Sequence, residues 1–173
     1  MHPFLPQKTV TMLLRKAKAD ALLITNLINI RFLTGVSVSA GCVLLRKDAC
    51  TLFVDHRYTE MAHQSVNSGV TVQNLNDLNN TLCDISVIAF EGNDVTVARL
   101  TQWQKKYKNT KFVQSSDLIE DLRRAKDPEE LRKIHKACAI TKKILKEMPS
   151  LLTIGISEQE LEWMIQCKAR EYG

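Results

Sequence analysis

Five cysteines is an odd number, and Cys42, Cys50, Cys83, Cys138 and Cys167 include no C-x-x-C pair. That excludes an ordinary secreted disulfide scaffold and fits reduced thiols in a cytoplasm. Glycine is scarce too: the six glycines form neither a dinucleotide fingerprint nor a phosphate-cradling loop, and no serine stands in a G-x-S-x-G setting. Nucleotide chemistry of those kinds and elbow-type nucleophilic catalysis therefore drop out. No apolar run approaches the length of a membrane span, and the opening MHPFLPQKTV lacks the apolar core of a signal peptide. The expectation is a soluble cytoplasmic protein with no membrane partner. Internal repeats and low-complexity segments are also missing.

What is present is the composition of an ordinary globular protein, 45% hydrophobic and 25% charged over 173 residues. That length suffices for one well-buried core and part of a second unit. The formal net charge of +5 raises nucleic acid as a partner. The segment from Arg123 to Lys146 concentrates it, with nine basic residues against three acidic ones. No aromatic residues interleave with those charges, so base stacking is unsupported and a solvated helix face is the better reading.

The chain is organised around Leu22 to Tyr58. Leu22 to Thr25 has strand character, Asn26 can cap a helix, and Asn29 to Thr34 makes about two helical turns that Gly35 can end. Gly41 to Arg46 and Cys50 to Val54 then form an apolar hairpin, apolar enough for both faces to be covered. Around it, Lys8 to Ala19 and Tyr58 to Ser68 read as helices, and Asp77 can cap a short one through Leu82. Val70 to Val72, Ser86 to Phe90 and Lys111 to Gln114 read as strands, with a helix from Val95 to Tyr107 between the last two. The fold class is α/β: a mixed sheet of about six strands with helices on both faces. From Ser116 the chain is helical only, with Asp117 as a cap for Leu118 to Arg124. Asp127-Pro128-Glu129-Glu130 and Ser157-Glu158-Gln159-Glu160 are strong start signals for two further helices, the first ending near Met148 before Pro149. The domain boundary is expected near Lys126, giving domains of residues 1–126 and 127–173.

Candidate chemistry is sparse. His135 and Cys138 can share a helix face, but two ligands make no tetrahedral site, Cys138 falls in the apolar stripe, and His56 and His63 lack a third partner; no metal is expected. Ser37 and Ser39 lie in a loop with no base assigned. Asp55, Arg57 and Tyr58, at the carboxyl end of the hairpin's second strand, are the best candidates, since a guanidinium there can grip a carboxylate through two hydrogen bonds. The alternative is a structural Asp55–arginine pair at the start of the next helix.

Ordered segments give the sequence a family likeness: Asn29-Ile30-Arg31-Phe32-Leu33-Thr34-Gly35, an apolar hairpin and Asp55-His56-Arg57-Tyr58, then Phe90-Glu91-Gly92, then Leu122-Arg123-Arg124-Ala125-Lys126-Asp127-Pro128-Glu129-Glu130-Leu131. Together with Gly155-Ile156-Ser157-Glu158-Gln159-Glu160-Leu161, they resemble the amino-terminal domain of the Xaa-Pro aminopeptidase and prolidase family, shared with creatinase. The resemblance implies that residues 127–173 begin a pita-bread catalytic domain. It also implies that the two divalent ions (manganese, cobalt or zinc) and their five aspartate, histidine and glutamate ligands belong to a region beyond this sequence. No catalytic residue and no cofactor are then expected here. The implied role is to cap the catalytic domain of the same or a neighbouring subunit, restrict substrate length and support a homodimer. His56, Arg57 and Tyr58 would touch the proline-containing peptide. A protein-binding module without catalysis, built on the same fold, is the second reading.

Overall fold

Among the described residues six strands form one sheet: β1 (Ala21–Ile24), β2 (Gly41–Arg46), β3 (Ala49–Val54), β4 (Val70–Asn74), β5 (Val87–Glu91) and β6 (Lys111–Ser115). The computed structural model describes residues 5–173, and residues 1–4, part of the stretch searched for a signal peptide, lie outside it. The strand order is β4-β3-β2-β1-β5-β6. β2 runs antiparallel to both β1 and β3, and the other pairings are parallel. The chain is thus the expected α/β fold with a mixed sheet. Its centre is built from β1 and the hairpin, whose turn is Lys47-Asp48.

Alternation along each strand splits the core into two layers. Leu22, Ile24, Val43, Leu45, Leu52 and Val54 point to one face. There they meet Val10, Leu13 and Leu14 of α1 (Gln7–Ala17), Ile30 and Leu33 of α2 (Leu27–Thr34), Ala62 of α3 (His56–Ser65) and Ile119 of α6 (Leu118–Arg124). Leu23, Cys42, Leu44, Phe53 and Ile88 point to the other face, against Leu82 of α4 (Leu78–Leu82) and Trp103 and Tyr107 at α5 (Val97–Lys106). Each large apolar side chain taken out of water contributes roughly 1.5–3 kcal/mol, which is why the strands are apolar on both sides.

Local chemistry sets the ends of these elements. Asn26 caps α2, accepting hydrogen bonds from the backbone N–H of Ile28 and Asn29, and Gly35 closes it at φ 78°. Asp77 makes no capping bond: a 3-10 turn (Leu75–Asp77) precedes α4, and Asn74 accepts from Asn76 instead. Asp117 has φ 60°, so it enters α6 from a left-handed conformation rather than the extended one of an ordinary cap.

The chain divides into two units, one ending at Arg124 and the other spanning Ala125–Gly173. The second consists of α7 (Pro128–Leu151) and α8 (Glu158–Tyr172), each opened by a complete capping box, on Asp127 and Ser157 respectively. Pro149 lies inside α7, not beyond it. Its missing N–H deprives only the carbonyl of Leu145, one turn back, and Leu145 is exposed enough for water to replace the bond.

Candidate functional site

At the carboxyl end of β3, Asp55 caps α3 by accepting from the Arg57 backbone N–H at 2.9 Å. The same carboxylate holds the Arg57 side chain: Nε lies 3.2 and 3.1 Å from its two oxygens, and one terminal nitrogen 2.5 Å from Oδ2. Those hydrogen bonds hold the Asp55 carboxyl below the usual carboxylate range and raise Arg57. The guanidinium also lies 5.6 Å from the centre of the Tyr58 ring, and the Tyr58 hydroxyl lies 2.7 Å from Ser39 Oγ in the loop between α2 and β2. His56 and Arg57 are exposed, and Tyr58 is half-buried. Asp55, Arg57, Tyr58 and Ser39 therefore meet, and the capping ion pair given above as the alternative to a substrate grip is present. It occupies one edge of the guanidinium and leaves the other towards solvent.

The other residues singled out from the sequence do not converge. Cys138, placed in the apolar stripe of α7 by its spacing, is exposed, as is His135. Burial pushes the thiols of Cys42 and Cys50 up to about 12, far from nucleophilic readiness. The basic run on α7 is partly used within its own unit: Lys133 pairs with Glu129 at 2.8 Å, and the Lys143 ammonium lies 3.4 Å from the centre of the Tyr172 ring. Among the described residues no three histidine, cysteine or acidic side chains could together hold a metal ion.

Sequence reasoning missed a second constellation, at the carboxyl ends of β1, β5 and β6. Glu91 Oε2 accepts the backbone N–H groups of Thr25 at 2.6 Å and Asn26 at 2.7 Å, while Oε1 accepts Asn29 Nδ2 at 2.6 Å. Asp94 accepts from the Thr25 hydroxyl at 2.5 Å. Asn29 Nδ2 donates also to Glu120 Oε1 at 2.5 Å, and Asn29 Oδ1 accepts from Arg123 at 3.0 Å. Burial lifts Glu91 above the usual carboxylate range, against the opposing pull of those N–H donors. Four carboxylates, Glu91, Asp94, Asp117 and Glu120, line a cavity of about 30 Å³ here, room for water and not for a peptide. The oxygens of Glu91 are already committed to protein donors, so the group does not fit the family's metal pair. The one signal in the sequence was a glutamate closing an otherwise apolar strand.

Comparison with known proteins bears on the family and the fold. The Creatinase/Prolidase N-terminal domain family matches residues 7–125. A putative Xaa-Pro aminopeptidase of Mycoplasma pneumoniae is 30% identical over 165 residues, covering 91% of this chain and 46% of that protein. Among solved structures, an Xaa-Pro dipeptidase from Bacillus anthracis shares the fold with a TM-score of 0.87 at 22% identity, over 96% of this chain and 48% of the other. The N-terminal domain of the cytoplasmic peptidase PepQ from Mycobacterium tuberculosis matches at 27% identity and a TM-score of 0.59, over 67% of this chain and 96% of that domain. The chain spans about half the length of the curated relatives it matches.

Proposed function

Since the chain belongs to the Creatinase/Prolidase N-terminal domain family, we propose that it is the capping and oligomerisation part of a cytoplasmic, proline-specific metallopeptidase, acting on Xaa-Pro peptides. The observation that carries this reading is coverage: the match takes in most of this chain but only about half of each curated relative. Hydrolysis then belongs to the half of the relatives that this sequence does not match. There, two divalent ions would supply an activated water and polarise the scissile carbonyl.

Within this chain, His56, Arg57 and Tyr58 face the peptide. Asp55 fixes the Arg57 guanidinium in advance, so its outer edge meets a substrate carboxylate with little loss of side-chain freedom. The exposed imidazole of His56 and the Ser39-linked hydroxyl of Tyr58 flank it. Two arms test the proposal. The chain alone, with manganese or cobalt, should not hydrolyse an Xaa-Pro dipeptide. A hybrid in which it replaces the amino-terminal half of a related Xaa-Pro dipeptidase should hydrolyse it, and Arg57→Leu should raise KM more than it lowers kcat. Turnover by the isolated chain, or a hybrid indifferent to Arg57→Leu, would overturn the reading.

A further inference from the structure

Three segments far apart in sequence, those containing Asn29, Glu91 and Arg123, meet at one buried amide. Asn29 lies 62 residues from Glu91 and 94 from Arg123. It is wholly buried, although asparagine is mostly found exposed. Both hydrogens of its Nδ2 go to carboxylates, one from β5 (Glu91) and one from α6 (Glu120), and its Oδ1 takes a guanidinium hydrogen from α6 (Arg123). Glu120 and Arg123 are three residues apart, so both project from one face of α6 towards α2.

We propose that Asn29 is a positioning residue whose amide locks α6 to α2 and β5, making the three segments one clasp that sets where the chain leaves the sheet. The lock is directional. Turning the amide over would set Nδ2 against the Arg123 guanidinium and Oδ1 against two carboxylates, so only one orientation satisfies every partner. Glu91 adds the second half of the clasp, because its other oxygen holds the N–H groups of Thr25 and Asn26, where β1 turns into α2. Ile119, Leu118 and Leu122 pack α6 on the core through contacts without direction, which tolerate small shifts better than hydrogen bonds do. The polar contacts fix its register, and residue 125 follows directly.

Two substitutions separate a clasp from simple filling of space, read by hydrogen exchange of the whole chain. Asn29→Leu keeps the branching and the number of side-chain heavy atoms, in a somewhat bulkier form, and removes all the side-chain polar bonds. The amides of α6 should then lose at least tenfold in protection while those of β1, β2 and β3 keep theirs. Asn29→Asp keeps the acceptor for Arg123 but sets a carboxylate against Glu91 and Glu120, with Asp94 and Asp117 close behind. These like charges raise the carboxyl affinities for protons in the closed state. The closed state is therefore favoured at low pH and lost as pH rises through the raised values. In Asn29→Asp, α6 protection should be poor at pH 7.5 and recover towards pH 5.5, by more than in the unaltered chain. If Asn29→Asp fails to fold at neutral pH, its recovery on acidification supports the clasp equally. An α6 that keeps its protection in Asn29→Leu, one that is lost only together with the sheet, or an Asn29→Asp profile no steeper than the parent's overturns the proposal.

Discussion

Gly35 shows how much one backbone angle can decide. Its φ of 78° ends α2 and turns the chain into the loop that brings Ser39 to Tyr58. A side chain there would also meet Asn67, whose Oδ1 lies 2.8 Å from the position a Cβ would take. Gly35→Val should therefore destabilise the chain by at least about 1–2 kcal/mol, from the left-handed conformation alone. A denaturant midpoint shifted by that amount checks it, and an unchanged midpoint would refute it. This glycine was legible in the sequence because helix, glycine and polar loop follow one another. The capping pair of Asp55 and Arg57 was legible because its members are two residues apart at a strand-to-helix junction. The Asn29 clasp was not, because its members are neighbours only through the sheet, and nothing in a single sequence marks a helical asparagine as buried. Two carboxylates show opposite linkage. Glu91, lifted by burial, contributes most to stability below the ordinary carboxylate range, and this fades as pH rises through its raised value. Asp55, held down by Arg57, contributes above the ordinary range, and this fades as pH falls.

At the scale of elements, the two helix starts of the second unit were readable because each capping residue has its partner in sequence. Asp127 with Glu130 and Ser157 with Glu160 form reciprocal pairs, at 2.8 and 2.9 Å in the first and 3.3 and 2.9 Å in the second. Asp77 is followed three residues on by Asn80 and makes no capping bond, whereas the Glu120 that stands three residues after Asp117 accepts from Asn29 and Asp117 itself is left-handed, so the same sequence pattern opens α6 differently. The order of strands was beyond the sequence for a related reason: alternation tells which face a residue takes, not which strand lies beside it. Ser157→Ala should cost about 1 kcal/mol, within the usual range for losing such a cap. Loss of helical signal from α8 in the early part of a thermal melt would show it. A melt superimposable on the parent's would mean that packing against α7 holds the helix start without help.

For the whole molecule, the apolar surface of the second unit carries the main expectation. Leu131, Ile134, Leu145, Trp163 and Met164 are all exposed, and on these two helices only Ile144 is buried. Leaving such side chains in water forgoes roughly 1.5–3 kcal/mol apiece, so this surface should associate with a second copy. The full chain should sediment as a dimer and a version ending at Lys126 as a monomer. A monomeric full chain, or a dimer that survives the truncation, rejects this. The sheet unit has a different vulnerability, set by its strand order. β1 to β4 are all complete by Asn74 and lie side by side, whereas β5, which must cover the far side of β1, begins only at Val87. During synthesis on the ribosome, a four-stranded intermediate would therefore emerge with the backbone of Ala21–Ile24 unpaired along one edge, flanked by side chains destined for burial on both faces. Such an edge is sticky. The interval between the emergence of Asn74 and that of Phe90 from the ribosome should then be when this edge is most open to chaperones, and to mispairing with neighbours on the same messenger.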